Sequence, residues 1–325
     1  MTNFKKIGLT ALAASLVSVS AHAGELTVTG SASMNTEGHS GEQLDSGTTF
    51  SMANSVYLKG SGELDNGMTV SVSFELDQGT SNNSSNQFDN HSVTVSSDTM
   101  GSLTLAGHGG NTAASAIDKT AAGDMWDNFD EMTIGGTTTA NAVKTSSAGN
   151  NSLFYKSPDL IDGLNVTLSY NPQVGNSGNP SESGYGFNYT GVEGLSVSYA
   201  TTEIETNVAG TTGDNNVVKV SYAYGPVTAS YSNMEQDVST TSDAGETDSY
   251  ALSYTISDEL SVTYGSETHE QGDSTTDIEI DGFSVSYTTG GMTISAAMQS
   301  AENQNHSTSS QFDTDYWALG ASLAF

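Results

Sequence analysis

Apolar and polar residues alternate along many short segments of the chain, and this alternation is the clearest structural signal in the sequence. The segment from Met68 to Leu76 is typical, because Thr, Ser and Glu residues separate its apolar side chains. The same pattern occurs at 165–170, 283–287 and 316–325. Successive side chains of a β-strand point to opposite faces, so each segment predicts a strand with one apolar and one polar face.

About sixteen such segments can be counted, an even number, as a closed antiparallel barrel with both chain ends on one side requires. The predicted strands are 25–34, 49–60, 68–77, 90–97, 102–107, 150–157, 164–171, 184–190, 195–203, 216–224, 227–235, 248–256, 260–268, 277–288, 292–300 and 314–325. Tight turns such as Asp65-Asn66-Gly67 alternate with long polar connections such as 78–90 and 301–313. Short turns at one end and long loops at the other are typical of outer-membrane barrels. The predicted fold class is therefore all-β, a transmembrane antiparallel β-barrel.

One connection is much longer than the others. From about His108 to Gly149 the sequence shows no convincing alternation, and this third long connection lies between the fifth and sixth predicted strands. Loops longer than about 12–15 residues are usually functional or disordered. We therefore expect this loop to carry a function.

The composition excludes several classes of protein. The chain has a formal net charge of −31, and 35% of its residues are hydrophobic, against about 45–50% in a typical globular domain. Such values are common in disordered chains, but a disordered chain has no reason to keep a strand periodicity. Seven lysines and no arginine exclude nucleic acid as a partner, and the absence of cysteine excludes disulfides and Cys-ligated metals.

The first 23 residues have the pattern of a secretory signal peptide. Lys5 and Lys6 precede an apolar stretch from Ile7 to Val19, and Ala21-His22-Ala23 follows it with small residues at a cleavage site. The apolar stretch is shorter than the roughly 20 residues of a transmembrane helix. We expect cleavage after Ala23, so that the protein is exported and residues 24–325 form the barrel.

At this point the chain resembles the Gram-negative general-diffusion porins, which are trimeric, sixteen-stranded outer-membrane channels. The resemblance is carried by the strand count, by the long third loop, by the segment from Asn151 to Pro158, and by the last strand. That strand has apolar residues at every second position from Trp317 and ends in Phe325. It implies that the third loop folds into the lumen, that Phe325 is a membrane-insertion signal, and that the protein is a homotrimer in contact with outer-membrane lipid and lipopolysaccharide. Porins usually line one wall of the constriction with arginines, and this chain has none.

Two sets of charged residues are candidates for the pore. Strand alternation places three lysines on lumen-facing positions, either at a constriction or solvated near the rim of the barrel: Lys59, Lys156 and Lys219. The third loop offers five acids, which line the narrowest point if the loop enters the lumen and form a solvated surface if it covers the mouth: Asp118, Asp124, Asp127, Asp130 and Glu131. The resemblance favours the first position, and the excess of acids predicts a preference for cations.

No catalytic constellation emerges from the sequence. The histidines are scattered, and His39, His91, His269 and His306 fall in or beside predicted loops. The remaining acids, at 203–205, 243–248 and 267–270, are predicted to lie in outer loops. Such loops can hold Ca²⁺, although none matches an EF-hand, and no other cofactor is expected.

Three functions stay open at this point. The leading one is a channel for passive diffusion of small hydrophilic solutes and ions. The others are a structural or adhesive outer-membrane barrel plugged by its long loop, and a barrel-embedded hydrolase.

Overall fold

The structure, a computed structural model, describes residues 26–40, 47–77, 88–130, 132–134, 137–138, 150–172, 181–205, 213–238 and 244–325. The predicted signal peptide and Glu131 lie outside these ranges. The strands are β1 (Thr27–Ser40), β2 (Gly47–Glu63), β3 (Thr69–Asp77), β4 (His91–Ser97), β5 (Gly101–His108), β6 (Thr133–Ile134), β7 (Thr137–Thr138), β8 (Ser152–Lys156), β9 (Leu164–Asn171), β10 (Ser181–Tyr189), β11 (Leu195–Glu205), β12 (Gly213–Tyr224), β13 (Val227–Val238), β14 (Gly245–Thr255), β15 (Leu260–Gln271), β16 (Ile278–Thr289), β17 (Met292–Glu302) and β18 (Thr314–Ala324). Three short 3₁₀ turns span Met125–Phe129, Gln304–His306 and Ser310–Phe312.

Sixteen of these strands form one closed antiparallel barrel. Each strand pairs with its neighbours along the chain, β5 pairs with β8 across the long connection, and β18 pairs with β1 to close the sheet. The pair β6–β7 is a separate two-stranded sheet inside the long connection. The prediction of a sixteen-stranded antiparallel barrel is confirmed.

Alternation along the strands gives the barrel two different faces. On β9, Leu168 and Tyr170 are each 49% exposed, whereas Ser169 between them is buried. On β16, Ile278 and Ile280 are buried, and Phe283 and Val285, on the opposite parity, are exposed. The exposed apolar side chains form the outer surface, which suits contact with lipid, and the buried residues point inward.

The strands extend further toward the long loops than the sequence predicts. β1 reaches Ser40 rather than residue 34, and β15 reaches Gln271 rather than residue 268. The acids at 203–205, 246–248 and 267–270 therefore lie in β11, β14 and β15, and the prediction that they occupy loops is wrong. Asp243, which belongs to the same prediction, lies outside the described residues. Beyond the lipid both faces of a strand can be polar, so the backbone ladder continues where the apolar alternation has ended.

The two ends of the chain meet where the barrel closes. The backbone N–H and carbonyl groups of Phe325 pair with the carbonyl and N–H groups of Gly30, both at 2.9 Å. A Cβ atom on Gly30 would lie 2.5 Å from Cζ of Phe325, so the aromatic ring covers the glycine backbone. The last strand thus pairs with the first, as the predicted closed barrel requires.

Deleting Phe325 is expected to lower the yield of inserted barrel several-fold while export continues, because the deletion removes both terminal hydrogen bonds and the ring over Gly30. The measurement is the heat-modifiable barrel recovered from the outer-membrane fraction. Phe283→Ala, which removes an exposed ring from the outer face of β16, a strand that does not take part in the closure, is the matched control. An unchanged yield after the deletion would show that Phe325 is not an insertion signal.

Candidate functional site

Residues 109–130, called here the inner segment, follow β5 and contact the inner faces of several barrel strands. Its backbone N–H groups donate to wall hydroxyls, which are those of Ser169 (from Ala113, 2.8 Å), Thr202 (from Ala114, 3.2 Å), Ser232 (from Ala121, 2.8 Å) and Ser249 (from Ala122, 2.9 Å). All four hydroxyls belong to inward positions of β9, β11, β13 and β14. The wall therefore satisfies backbone donors that a loop lying against a sheet would otherwise leave unpaired.

Two apolar clusters also attach the inner segment to the wall. Near its beginning, Ala113 and Ala114 pack with three buried wall residues, which are Ala200, Val217 and Met234. Near its end, Met125 and Phe129 from the 3₁₀ turn pack with Ile278, Ile280 and Tyr316 among others. Small residues bring the backbone close to the wall at the first cluster, and large side chains fill the space at the second.

The end of the inner segment reaches the closure of the barrel. Nε2 of His39 on β1 lies 2.7 Å from the carbonyl oxygen of Asn128, and the Asn128 side chain donates to Oε1 of Gln299 on β17 at 2.9 Å. The rings of Phe129 and Tyr316 meet edge to face with centroids 6.0 Å apart. The inner segment therefore joins strands from both ends of the chain.

Glu267 is a contact residue of the inner segment that the sequence analysis missed. It is 1% exposed on β15, and its carboxylate accepts hydrogen bonds from the Thr120 hydroxyl and from the backbone N–H of Trp126 at 3.1 Å. The sequence held a usable signal, because Val262 and Tyr264 face outward and alternation then places Glu267 inward.

The predicted acids occupy the middle and end of the inner segment. Asp118, Asp124 and Asp130 are half-buried, Asp127 is exposed, and Glu131 lies outside the described residues. Asp124 caps the 3₁₀ turn with a left-handed backbone (φ 61°), and its carboxylate accepts from the Thr120 N–H at 2.8 Å. Desolvation of its carboxyl group, and to a lesser extent repulsion by Asp124 and Asp130, raise the pKa of Asp127, although part of its side chain reaches solvent.

The structure brings one of the three predicted lysines to the inner segment. The ammonium group of Lys219 donates to the carbonyl oxygen of Lys119, and the charges of Asp118 and Asp124 act on it. Lys59 lies elsewhere on the wall, with Nζ 5.2 Å from the ring centroid of Tyr57, and Lys156 ends β8 beside a short turn. Lys119, which the sequence analysis did not select, is exposed and adds one positive charge to the inner segment.

Two histidines differ from the expectation of solvated loop residues. His39 lies in β1 and contacts the inner segment, and His269 is buried in β15 beside Thr247, with Nδ1 3.1 Å from Oγ1. Both lie in the strand extensions that the sequence pattern does not reveal. Within the described ranges, no three His, Asp or Glu side chains form a cluster suited to a metal ion.

Comparisons with known proteins agree with this architecture. A family model described as Gram-negative porin matches residues 8–322, and no curated protein sequence matches significantly. The anion-selective porin from Comamonas acidovorans is 15% identical with a TM-score of 0.65, covering 93% of this chain and 99% of its own. OmpF of Salmonella typhi in complex with daunomycin is 18% identical with a TM-score of 0.67 over 93% and 98%. An engineered porin of Rh. blastica is 16% identical with a TM-score of 0.65 over 93% and 100%. In the described part of the chain, no helix has the length and apolar character needed to cross a membrane.

Proposed function

The chain belongs to the Gram-negative porin family, and we propose that its barrel is a water-filled channel of the outer membrane that prefers cations over anions. Membership of the family supports passive diffusion of small hydrophilic solutes and ions through the barrel. The preference for cations depends on this chain's own charges.

The observation that carries this preference is the charge of the inner segment. Its residues include four acids, Asp118, Asp124, Asp127 and Asp130, against the single base Lys119. Backbone hydrogen bonds attach it to inward-facing hydroxyls, so it lies inside the barrel wall. A permeating ion in a narrow lumen passes such charges within a Debye length, which is about 8 Å at physiological ionic strength. Charges of one sign in a channel concentrate counter-ions.

The wall opposes these acids with few positive charges, of which Lys219 contacts the inner segment directly. Lys59 is followed on the inner face of β2 by Glu63, and Glu75 and Asp77 lie on the same face of the neighbouring strand β3. Arginine is absent from the whole chain. One structural neighbour is described as anion-selective, but at 15% identity it shares the fold alone, so the preference depends on the residues of this chain.

The remaining expectations from the sequence are part of the same proposal. Residues 1–23 are a signal peptide, and a mature protein that begins at Gly24 would show this by mass. Residues 24–325 form one barrel, which assembles as a homotrimer in contact with outer-membrane lipid and lipopolysaccharide. The constriction is formed by the acids of the inner segment, with Glu131 included on its sequence position alone.

Recordings of the purified protein in planar bilayers test the channel itself. A channel gives stepwise conductance in concentrated salt, whereas a barrel plugged by its inner segment gives none. In a salt gradient, a reversal potential of the sign that a cation-permeable channel gives supports the preference for cations.

Lowering the pH is expected to weaken the cation preference earlier than ordinary aspartates would allow. The pKa of Asp127 is raised, so this side chain becomes protonated and neutral at a higher pH than an unperturbed carboxylate. Reversal potentials measured from neutral to acid pH should therefore include a decrease from Asp127 at a higher pH than an unperturbed aspartate would give. In Asp127→Asn this contribution should disappear, and a titration identical to that of the unmodified protein would contradict the assignment.

A further inference from the structure

Glu267 is a buried carboxylate of the barrel wall that contacts the acidic part of the inner segment. Glu267 is 1% exposed, and taking a charged carboxylate out of water is costly unless hydrogen bonds or opposite charges replace the water. Its partners are the Thr120 hydroxyl, the Trp126 N–H at 3.1 Å and, more weakly, the Ser249 hydroxyl at 3.5 Å. The two shorter of these hydrogen bonds come from the inner segment rather than from the barrel.

A series of hydrogen bonds leads from Glu267 through Thr120 to Asp124, one of the proposed pore acids. Oγ1 of Thr120 donates to Glu267 and accepts from the Asp124 N–H at 2.6 Å, and the Thr120 N–H donates to the Asp124 carboxylate at 2.8 Å. Thr120 is 2% exposed, so water does not compete for these bonds. The orientation of Asp124 therefore depends on Thr120, and that of Thr120 on Glu267.

The same carboxylate also fixes the start of the 3₁₀ turn that carries Asp127. Its second oxygen accepts the Trp126 N–H, one of the turn's first backbone donors. His269 lies near the same oxygen, with 3.6 Å between Nε2 and Oε2 and with both side chains almost fully buried. Glu267 thus connects the barrel wall to two points of the inner segment, one before the 3₁₀ turn and one within it.

We propose that Glu267 is the positioning residue that sets the acids of the inner segment in the lumen. Its effect on ion selectivity rests on the proposed function, whereas its effect on the order of the inner segment does not. Glu267 acts through Thr120 and Trp126, and it needs the full length of a glutamate side chain to reach both.

The experiment measures the mobility of the inner segment directly. The chain contains no cysteine, so Asp127→Cys carries a single nitroxide spin label on the acidic turn of the full-length barrel. We expect the strongly immobilised spectral component to be lost in Glu267→Asp, which keeps the charge but shortens the side chain, and in Glu267→Gln, which keeps the length but loses the charge. Thr120→Val, which removes only the hydroxyl, should lose part of this component, and combining it with Glu267→Gln should add little.

The matched control is Glu75, another buried carboxylate, which lies on β3 and accepts from Asn90 rather than from the inner segment. Glu75→Asp and Glu75→Gln should leave the label immobilised. Heat-modifiable migration checks that each variant is folded, and Thr120→Val keeps the test valid if the Glu267 variants fail to fold. An immobilised label in the Glu267 variants, or in Thr120→Val if the Glu267 variants do not fold, would overturn the proposal. Anion preference in the unmodified channel would contradict the proposed function without changing the label result.

Discussion

Replacing Asp124, Asp127 and Asp130 together by asparagine is expected to move the reversal potential of the channel most of the way toward zero. Asp127 is exposed, and the half-buried Asp124 and Asp130 lie three residues to either side of it. One unit charge acts on an ion 4 Å away with about 1 kcal/mol in bulk water, which corresponds to about a fivefold change in local ion concentration. Removing three such charges should outweigh the effect of any other triple substitution in the barrel.

Three acids on the outer face provide the matched control for this prediction. Glu203, Glu235 and Glu279 are exposed and alternate with buried, inward-facing neighbours, so they point away from the lumen. Their replacement by glutamine removes the same formal charge from the protein but should change the reversal potential little. Equal effects of the two triple variants would show that the inner segment does not determine selectivity.

Truncating Phe129 to alanine is expected to release the end of the inner segment and to raise the open-channel conductance and its noise. Phe129 is 0% exposed and packs against Ile278, Ile280 and Tyr316. Phe→Ala substitutions in a packed core cost about 3–5 kcal/mol, which is large beside the few hydrogen bonds that hold Asn128. The measurement is single-channel current in a planar bilayer, together with the temperature at which the folded barrel is lost.

Phe283→Ala separates this effect from a general loss of aromatic surface. Phe283 lies on β16, the strand that also contacts Phe129, but its ring is 57% exposed on the outer face. Its truncation should leave the conductance and the noise unchanged. The packing argument would be refuted by a Phe129 variant with the conductance and noise of the unmodified channel.

The barrel could be predicted because lipid and lumen impose opposite requirements on alternate residues. Segments such as 68–77 and 260–268 show the pattern where one face is apolar, and there the prediction agrees with β3 and β15 closely. Where β15 continues to Gln271, both faces are polar, and backbone pairing alone maintains the strand. Hydropathy carries no information about such pairing, so the sequence predicts strands that end several residues short of their true ends at the long loops.

The sequence offers candidate acids and lysines for the site, but it does not indicate the contacts that hold the inner segment. The acids are proposed from their place in the long connection and the lysines from strand alternation. The contacts of Glu267, His39 and Ser169 with the inner segment depend on which strands a forty-residue connection passes, and local sequence does not encode that path. Only one of the three predicted lysines, Lys219, contacts the inner segment, for the same reason.

The reversal potential of the unmodified channel in a potassium chloride gradient measures the proposed preference for cations. The excess of carboxylates on the inner segment and the absence of arginine predict a potential of the cation-permeable sign. This potential should shrink as the total salt rises, because screening shortens the reach of the fixed charges. A potential of the sign that an anion-permeable channel gives, or one that does not change with ionic strength, would contradict a cation preference set by the acids of the inner segment.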